Sequence, residues 1–496
     1  MDPIKRLAGQ TAIYGLSSII GRVINFLLVP LYTNLLFQTS EYGVIAEMYA
    51  YVAFLLILLT YGMETAYFRF SSQTPAQKQA VYSTTLLSVL TSSALFILLA
   101  FWFSQPIANL LRHPDYPEYI KWLGVIIGLD ALNAIPFARL RADNKAFAFA
   151  AIKLTGIAIN IAFILFFLLF SPWLLDNHPD SLLAPLVKRL YDPGIGVGYV
   201  FIANLIATAM TTLLLLPVIM KASARFSAAL WKSMLRYAWP LILVGLAGVI
   251  NETLDKLLLK YMLPADIAMS HVGIYSACYK ISVFMTIFIQ AFRFAAEPFF
   301  FSQASHEQAR PMYARVMNYF VVACLFIFLG ITLFMDIVQY FVGKEYREGL
   351  GVVPILLLAN LFLGVYFNLS IWYKLTGQTL YGAWIAIAGA LITIVLNIWW
   401  IPIFGYHGSA WATLVCYASM MVISWFIGRT YYPIPYQTGK LLLTIASAVL
   451  VYLFSTLLPD LPPLASYAVN LALIALFSIT VMLIFPALLT RSKESE

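Results

Sequence analysis

The chain of 496 residues is 62% hydrophobic and only 10% charged, with a mean hydropathy of +0.86. Soluble domains hold about 45–50% apolar and about 25% charged residues, so this composition excludes a soluble fold. The net charge of +8 does not mark a nucleic-acid binder, because the basic residues are dispersed between apolar segments and form no patch interleaved with aromatics.

Apolar segments separated by short polar punctuation run in chain order over about 7–36, 43–69, 79–104, 119–138, 146–171 and 196–220, then 234–262, 272–301, 312–342, 351–374, 380–403 and 407–429, with a final pair at 438–458 and 465–489. A hydrocarbon slab about 30 Å thick needs roughly 20 apolar helical residues per span, so each segment is long enough to cross. The expected fold is an all-α polytopic membrane protein of about 14 transmembrane helices. Lys5 and Arg6 before the first apolar run resemble the start of a secretory leader, but that run contains Arg22 and lacks a small-residue cleavage site, so it reads as a retained helix.

If the N-terminus is cytoplasmic, most of the Lys and Arg residues between segments fall on the inside, among them Arg139, Arg141, Lys145, Lys221, Arg225 and Lys232. The outside keeps Arg112, Lys121, Lys188, Arg189, Lys256, Lys260, Lys344 and Arg347. The positive-inside rule then puts both termini in the cytoplasm, and Trp residues near segment ends fit an aromatic belt. The 172–195 stretch is too short and too rich in Pro and Asp for a catalytic domain. Gly194, Gly196 and Gly198 within it follow no strand and read as a turn rather than a phosphate cradle. Cys278, Cys324 and Cys416 lie inside apolar segments with no metal-ligand spacing, so neither a disulfide framework nor a metal is expected, and no cofactor is implied.

Gly43 and Gly273 each open an apolar segment, and the same shift pairs Tyr49 with Tyr279, Phe70 with Phe300, and Ser72-Gln73 with Ser302-Gln303. Segments 2 and 8 therefore look related, either by chance among apolar sequences or as parallel repeats of two six-helix lobes. The expected division is 1–220 for the N-lobe, 221–430 for the C-lobe and 431–496 for two further helices and a tail.

A charge at the centre of a span costs about 2.5–3.5 kcal/mol on insertion scales, so such residues face a watery cavity or a partner. Arg22 in segment 1 is either a contact for phosphate oxygens, to which its planar fork is suited, or half of a structural ion pair. In segment 7, Glu252 and Asp255 share a face and Glu252 stands i, i+4 to Lys256. Asp255 and Lys280 should sit at similar depth, as a permanent strut or as a pair that titrates. Glu64 should be level with Arg293, and Arg69 with Glu297, which allows cross-lobe salt bridges closing a cytoplasmic gate; the alternative is an Arg293–Glu297 intrahelical pair with Arg69 in water. Asp130 and Lys153 are assigned to packing and snorkelling. Pro30 and Pro240 either permit bending or, for Pro240, mark a helix start.

Glu41-Tyr42-Gly43, Leu254-Asp255-Lys256, Val272-Gly273-Ile274-Tyr275-Ser276 and Glu297-Pro298 resemble the Wzx-type polysaccharide flippases of the multidrug/oligosaccharidyl-lipid/polysaccharide exporter superfamily, which also holds MurJ-type lipid II flippases and MATE drug exporters. The resemblance implies two lobes around a cationic cavity, a polyprenyl-pyrophosphate-linked glycan as cargo, the bacterial inner membrane as location and other polysaccharide-assembly membrane proteins as partners. It places the pyrophosphate at Arg22, Lys280 and Arg293, with Lys256 less securely matched. Ion coupling or gating falls to Asp255, Glu64, Glu297, Glu252 and Arg69, with H⁺ or Na⁺ as the ion. Gly21-Arg22-Val23 lacks the acidic neighbour that MurJ-type proteins tend to have beside this arginine. A MATE-like drug exporter and, from another class, a membrane enzyme of polysaccharide assembly are the alternatives; an enzyme would need a larger outer loop with clustered carboxylates, His or Arg.

Overall fold

A computed structural model describes residues 3–73, 77–223, 225–304, 306, 308–459 and 461–486, with side chains described from Tyr14 onward. Among the described residues every regular element is helical. Fourteen of these helices are long and apolar enough to cross a membrane: α1 Tyr14–Leu36, α2 Thr39–Ser72, α3 Lys78–Trp102, α4 Pro117–Ala142, α5 Ala146–Asn177, α6 Gly198–Ile219, α7 Ala228–Met262, α8 Ala265–Gln303, α9 Ala309–Thr332, α10 Lys344–Leu375, α11 Leu380–Phe404, α12 Tyr406–Tyr431, α13 Thr438–Thr456 and α14 Pro463–Ile484. Without water to satisfy main-chain polar groups, a lipid-immersed chain must meet them within each helix, which is why these uninterrupted apolar runs adopt this form. Leu98, Trp102, Leu450, Leu471 and Leu483 remain exposed, as side chains turned toward acyl chains should.

The chain separates into two compact units. One holds residues 1–24 and 41–257, the other residues 25–40 and 258–496. The boundary differs from the expected six-and-six division because α1 and α7 each serve both units. The last part of α1 belongs to the second unit, where Phe26 stacks on Phe341 at 4.3 Å and the Tyr346 hydroxyl donates to the Phe37 carbonyl at 2.9 Å. Gly343 meets the Thr33 main chain so closely that no larger residue fits, and its N–H donates to Thr33 Oγ1 at 3.2 Å. Pro30 stands where the α-helix of α1 gives way to a π turn over Tyr32–Leu36. Most of α7 belongs to the first unit: Trp231 Nε1 donates to Ser88 Oγ of α3 at 2.7 Å, and Gly245 packs on Ile57 of α2. Pro240 is inside α7 rather than at its start.

Within the first unit, Gly124 and Gly128 of α4 lie against Ala100 and Ile97 of α3, the small-residue spacing that lets membrane helices approach closely. α2 is not one continuous helix. It breaks at Tyr61 (φ 33°) and Gly62 (φ 70°), and a new helical segment starts at Met63. Tyr61 OH bonds Ser88 Oγ, the same hydroxyl that holds Trp231, so α3 and α7 fix the break. Within the second unit the largest buried side chains are Trp372, Tyr275, Tyr313, Tyr346, Phe320, Phe328 and Phe477. α13 and α14 pack beside α9, through Phe328 against Tyr452, Phe326 against Phe477, and Asn470 Nδ2 donating to the Leu333 carbonyl at 2.6 Å.

Candidate functional site

The charges of the first unit gather where α1, α2, α4 and α5 meet. Gly21 packs on Ile157 of α5, and one turn along each helix Lys153 Nζ donates to Ser18 Oγ at 3.0 Å. This close seam leaves Arg22, the next residue, exposed about two turns into α1. Among the described residues no carboxylate pairs with Arg22. Lys153 is within electrostatic reach of two cations, Arg22 and Arg141, and of one acid, Glu64.

That acid is taken. Glu64, in the first turn of the segment after the α2 break, forms an ion pair with Arg141 at the end of α4. Phe68 and Phe149 lie under the Arg141 guanidinium, at 5.1 and 5.7 Å. Arg69 is exposed and lies 4.1 Å over the Tyr237 ring of α7. Nearby, Asp143 joins Lys78 at 2.7 Å and Arg139 at 3.7 Å, and Arg139 covers the Tyr82 ring at 4.1 Å.

On α7 the buried Asp255 accepts from the Lys256 amide at 2.8 Å and lies 3.4 Å from its ammonium. Lys256 Nζ also donates to the main-chain oxygen of Glu252 at 3.2 Å, while Glu252 itself is exposed. Two further acids of this unit lie outside the expected set. Glu47 of α2, 0% exposed, meets His113 Nε2 at 2.8 Å. Asp130 of α4 hydrogen-bonds Thr208 of α6.

In the second unit, Glu297 of α8 holds Lys374 of α10 at 2.7 Å and Arg293, one turn back on its own helix, at 3.4 Å. Arg293 lies 4.0 Å over the Phe367 ring. These groups, with Phe292, Asn368 and Ser370, line a small cleft with an excess of positive charge. The intrahelical Arg293–Glu297 pair is thus present. Lys280 lies half-buried about three and a half turns before Arg293 on α8.

Sequence reasoning did not find Arg141, Lys374, Lys153 or His113 as members of these clusters. Arg141 and Lys374 counted as loop cations because they end their helices, and their partners lie 77 residues away in both cases. Lys260, assigned to the outer flank, is 3% exposed. Cys278, Cys324 and Cys416 are buried and unbridged, and no group of three or more His, Cys, Asp or Glu side chains suited to a metal occurs among the described residues.

The sequence profile described as polysaccharide biosynthesis protein matches residues 7–303. No curated protein matches. Among solved structures, the lipid II flippase MurJ in an inward closed conformation superposes with a TM-score of 0.69 at 15% identity, covering 97% of this chain and 99% of its own. An inward-facing multidrug resistance MATE family transporter of the MOP superfamily gives 0.59 at 14% identity, covering 86% and 93%. A MATE transporter of Vibrio cholerae gives 0.55 at 13% identity, covering 86% and 96%. The chain is a multi-pass membrane protein with the fold these transporters share.

Proposed function

Because this chain belongs to the polysaccharide biosynthesis protein family, we propose that it is a flippase that carries an undecaprenyl-pyrophosphate-linked oligosaccharide, an O-antigen or capsule-type repeat unit, from the cytoplasmic to the outer leaflet of the bacterial inner membrane. The observation that carries this reading is Arg22: a guanidinium exposed within a spanning helix, with no carboxylate paired to it among the described residues. A permanent charge at that depth calls for an anion, and a pyrophosphate offers the oxygens its fork is shaped to hold.

In the proposed cycle the headgroup enters from the cytoplasm, where the positive-inside pattern also places both termini. Arg22, Lys280 and Arg293 compensate the pyrophosphate, the lobes rock, and the headgroup leaves outside while the polyprenyl tail stays in lipid. Glu64, Arg69 and Glu297 exchange their present partners as access changes. Glu252 and Asp255 tune the charge of α7. No bond of the cargo is made or broken.

The test is flipping of a labelled lipid-linked oligosaccharide in proteoliposomes, read by the fraction an external glycosidase reaches. Losing a charge-assisted hydrogen bond, worth about 1.5–3 kcal/mol, should slow Arg22→Gln by about ten-fold or more, with Arg22→Lys in between. A rate unchanged in Arg22→Gln sinks the headgroup assignment. Lipid II is the second reading, favoured by the superposition on MurJ over nearly the whole chain; the same assay with lipid II decides between cargoes. Transport of hydrophobic cations unaffected by Arg22→Gln would point to a drug exporter, and chemical conversion of a lipid-linked sugar by the purified protein to an enzyme.

A further inference from the structure

Between the end of α5 and the start of α6 the chain leaves the apolar spans, yet it carries four leucines into the connection. It turns at His178, whose carbonyl accepts from the Ser181 amide at 3.1 Å, and then forms a short helix over Ala184–Leu190. Ala184 and Val187 are buried and seat this helix on the first unit. Leu182 is 99% exposed, and Leu183, Leu186 and Leu190 are each more than half exposed. At about 100° per residue, Leu183, Leu186 and Leu190 fall within an arc of about 60°, with Arg189 beside it and Lys188 on the opposite flank.

Leucines grouped in this way are costly to leave in water. Their surroundings follow from the ends of the connection. Along the second half of α5, Leu165, Leu169 and Trp173 are exposed at intervals of four residues, as side chains facing lipid are, and a tryptophan near a span end marks the headgroup level. The Trp173 ring meets His178 edge to face at 5.1 Å, so the connection begins at the level of that indole. Its other end is tied to α6: Tyr191 stacks on Tyr199 at 5.3 Å, and the Asp192 amide donates to the Tyr199 hydroxyl at 2.6 Å. The leucines therefore continue the lipid-facing surface of α5. The acids of the connection stand outside the leucine arc, since Asp180 precedes the helix and the Asp192 carboxylate accepts from the Gly194 amide at 2.9 Å. Acids and cations nearly balance, which suits the phosphate layer of any phospholipid rather than an anionic lipid in particular.

We propose that residues 182–190 form an amphipathic anchor that lies in the headgroup layer at the α5–α6 end of the first unit, with its leucines among the upper acyl carbons and its cations on phospholipid phosphates. A surface helix with leucines along one side and Lys or Arg along another sinks its apolar side about 5–10 Å into that boundary. Lys188 and Arg189 have apolar stems long enough to follow the surface and bring their charges to the phosphates. A second protein seated on the leucines would have to displace the lipid that covers Leu165, Leu169 and Trp173 beside them. The positive-inside pattern puts this connection on the outer side of the membrane, so the anchor holds the outer end of the first unit at a fixed level in the bilayer. The anchor does not depend on the identity of the cargo.

The experiment uses the full-length protein in phosphatidylcholine nanodiscs. Cys278, Cys324 and Cys416 are buried, so a bimane label can be placed on Leu186→Cys and, separately, on Pro185→Cys, which is exposed away from the leucine arc. Phosphatidylcholine carrying a nitroxide on the upper acyl chain should quench the label at 186 strongly and aqueous iodide weakly, with the order reversed at 185. Adding Leu182→Asp and Leu183→Asp should raise iodide quenching at 186 several-fold, and replacing Lys188 and Arg189 with Glu should raise it less. All four of these side chains are exposed, so the fold tolerates their replacement. Iodide quenching at 186 equal to that at 185, or lipid quenching at 186 unchanged by Leu182→Asp with Leu183→Asp, overturns the proposal. So does a label at 186 that iodide reaches in nanodiscs but not in native membranes, the result expected of a protein partner.

Discussion

Near the C-terminal end of α2, Glu64 takes its cation from α4; near the C-terminal end of α8, Glu297 takes one from α10 and a second from its own helix. The two helices share residues at a fixed shift, yet their acids are met differently. The cause is local. α8 runs unbroken over Ala265–Gln303, so Arg293 and Glu297 are held one above the other at i, i+4. α2 breaks at Tyr61 and Gly62, so Glu64 falls in the first turn of a new segment, where the helix dipole also favours a carboxylate. Arg69, further along that segment, is taken by Tyr237 instead of by an acid of its own helix.

If Gly62 sets this difference, removing it should have the largest effect. At φ 70° an L side chain is strained, and a Cβ there would stand 3.0 Å from the Ala238 carbonyl of α7. Gly62→Val should lower stability by about 2–4 kcal/mol, from left-handed strain and overpacking together. Thermal unfolding in detergent measures it; an unchanged melting temperature means that the break is imposed by Tyr61, Ser88 and Trp231 alone.

A smaller effect should separate the two acids. Lys374→Met leaves Glu297 with Arg293, whereas Arg141→Met leaves Glu64 with the more distant Lys153. Both pairs are partly exposed, so each loss should stay within about 1 kcal/mol of stability, with Arg141→Met the more costly. Equal losses would mean that Arg293 gives Glu297 no support.

The fourteen spans were legible because a membrane crossing needs only a long apolar run, a property of adjacent residues. Arg22 was legible for the same reason, as one charge within such a run. The break in α2 was not, since Tyr61-Gly62-Met63 differs little from an ordinary helical stretch and its geometry is fixed from α3 and α7. The division of α1 and α7 between units was hidden likewise: it rests on Gly343 meeting Thr33 and Trp231 meeting Ser88, contacts between residues far apart in sequence.

The smallest effect belongs to Arg69. Its guanidinium is exposed and lies 4.1 Å over Tyr237, a cation–π contact worth about 0.5–1 kcal/mol at such a site. Arg69→Gln should therefore lower stability by about 0.5 kcal/mol, and Tyr237→Leu should cost Arg69 the same interaction, so that a double-mutant cycle returns a coupling of that size. The cycle also bears on gating. If Arg69 leaves Tyr237 in another access state, Tyr237→Leu will shift the protein toward that state, and spin-label distances between α2 near Arg69 and α7 near Tyr237 will change. Distances that stay fixed while the stability coupling is measurable would make the Arg69–Tyr237 contact a fixed brace between α2 and α7 rather than one side of an exchange.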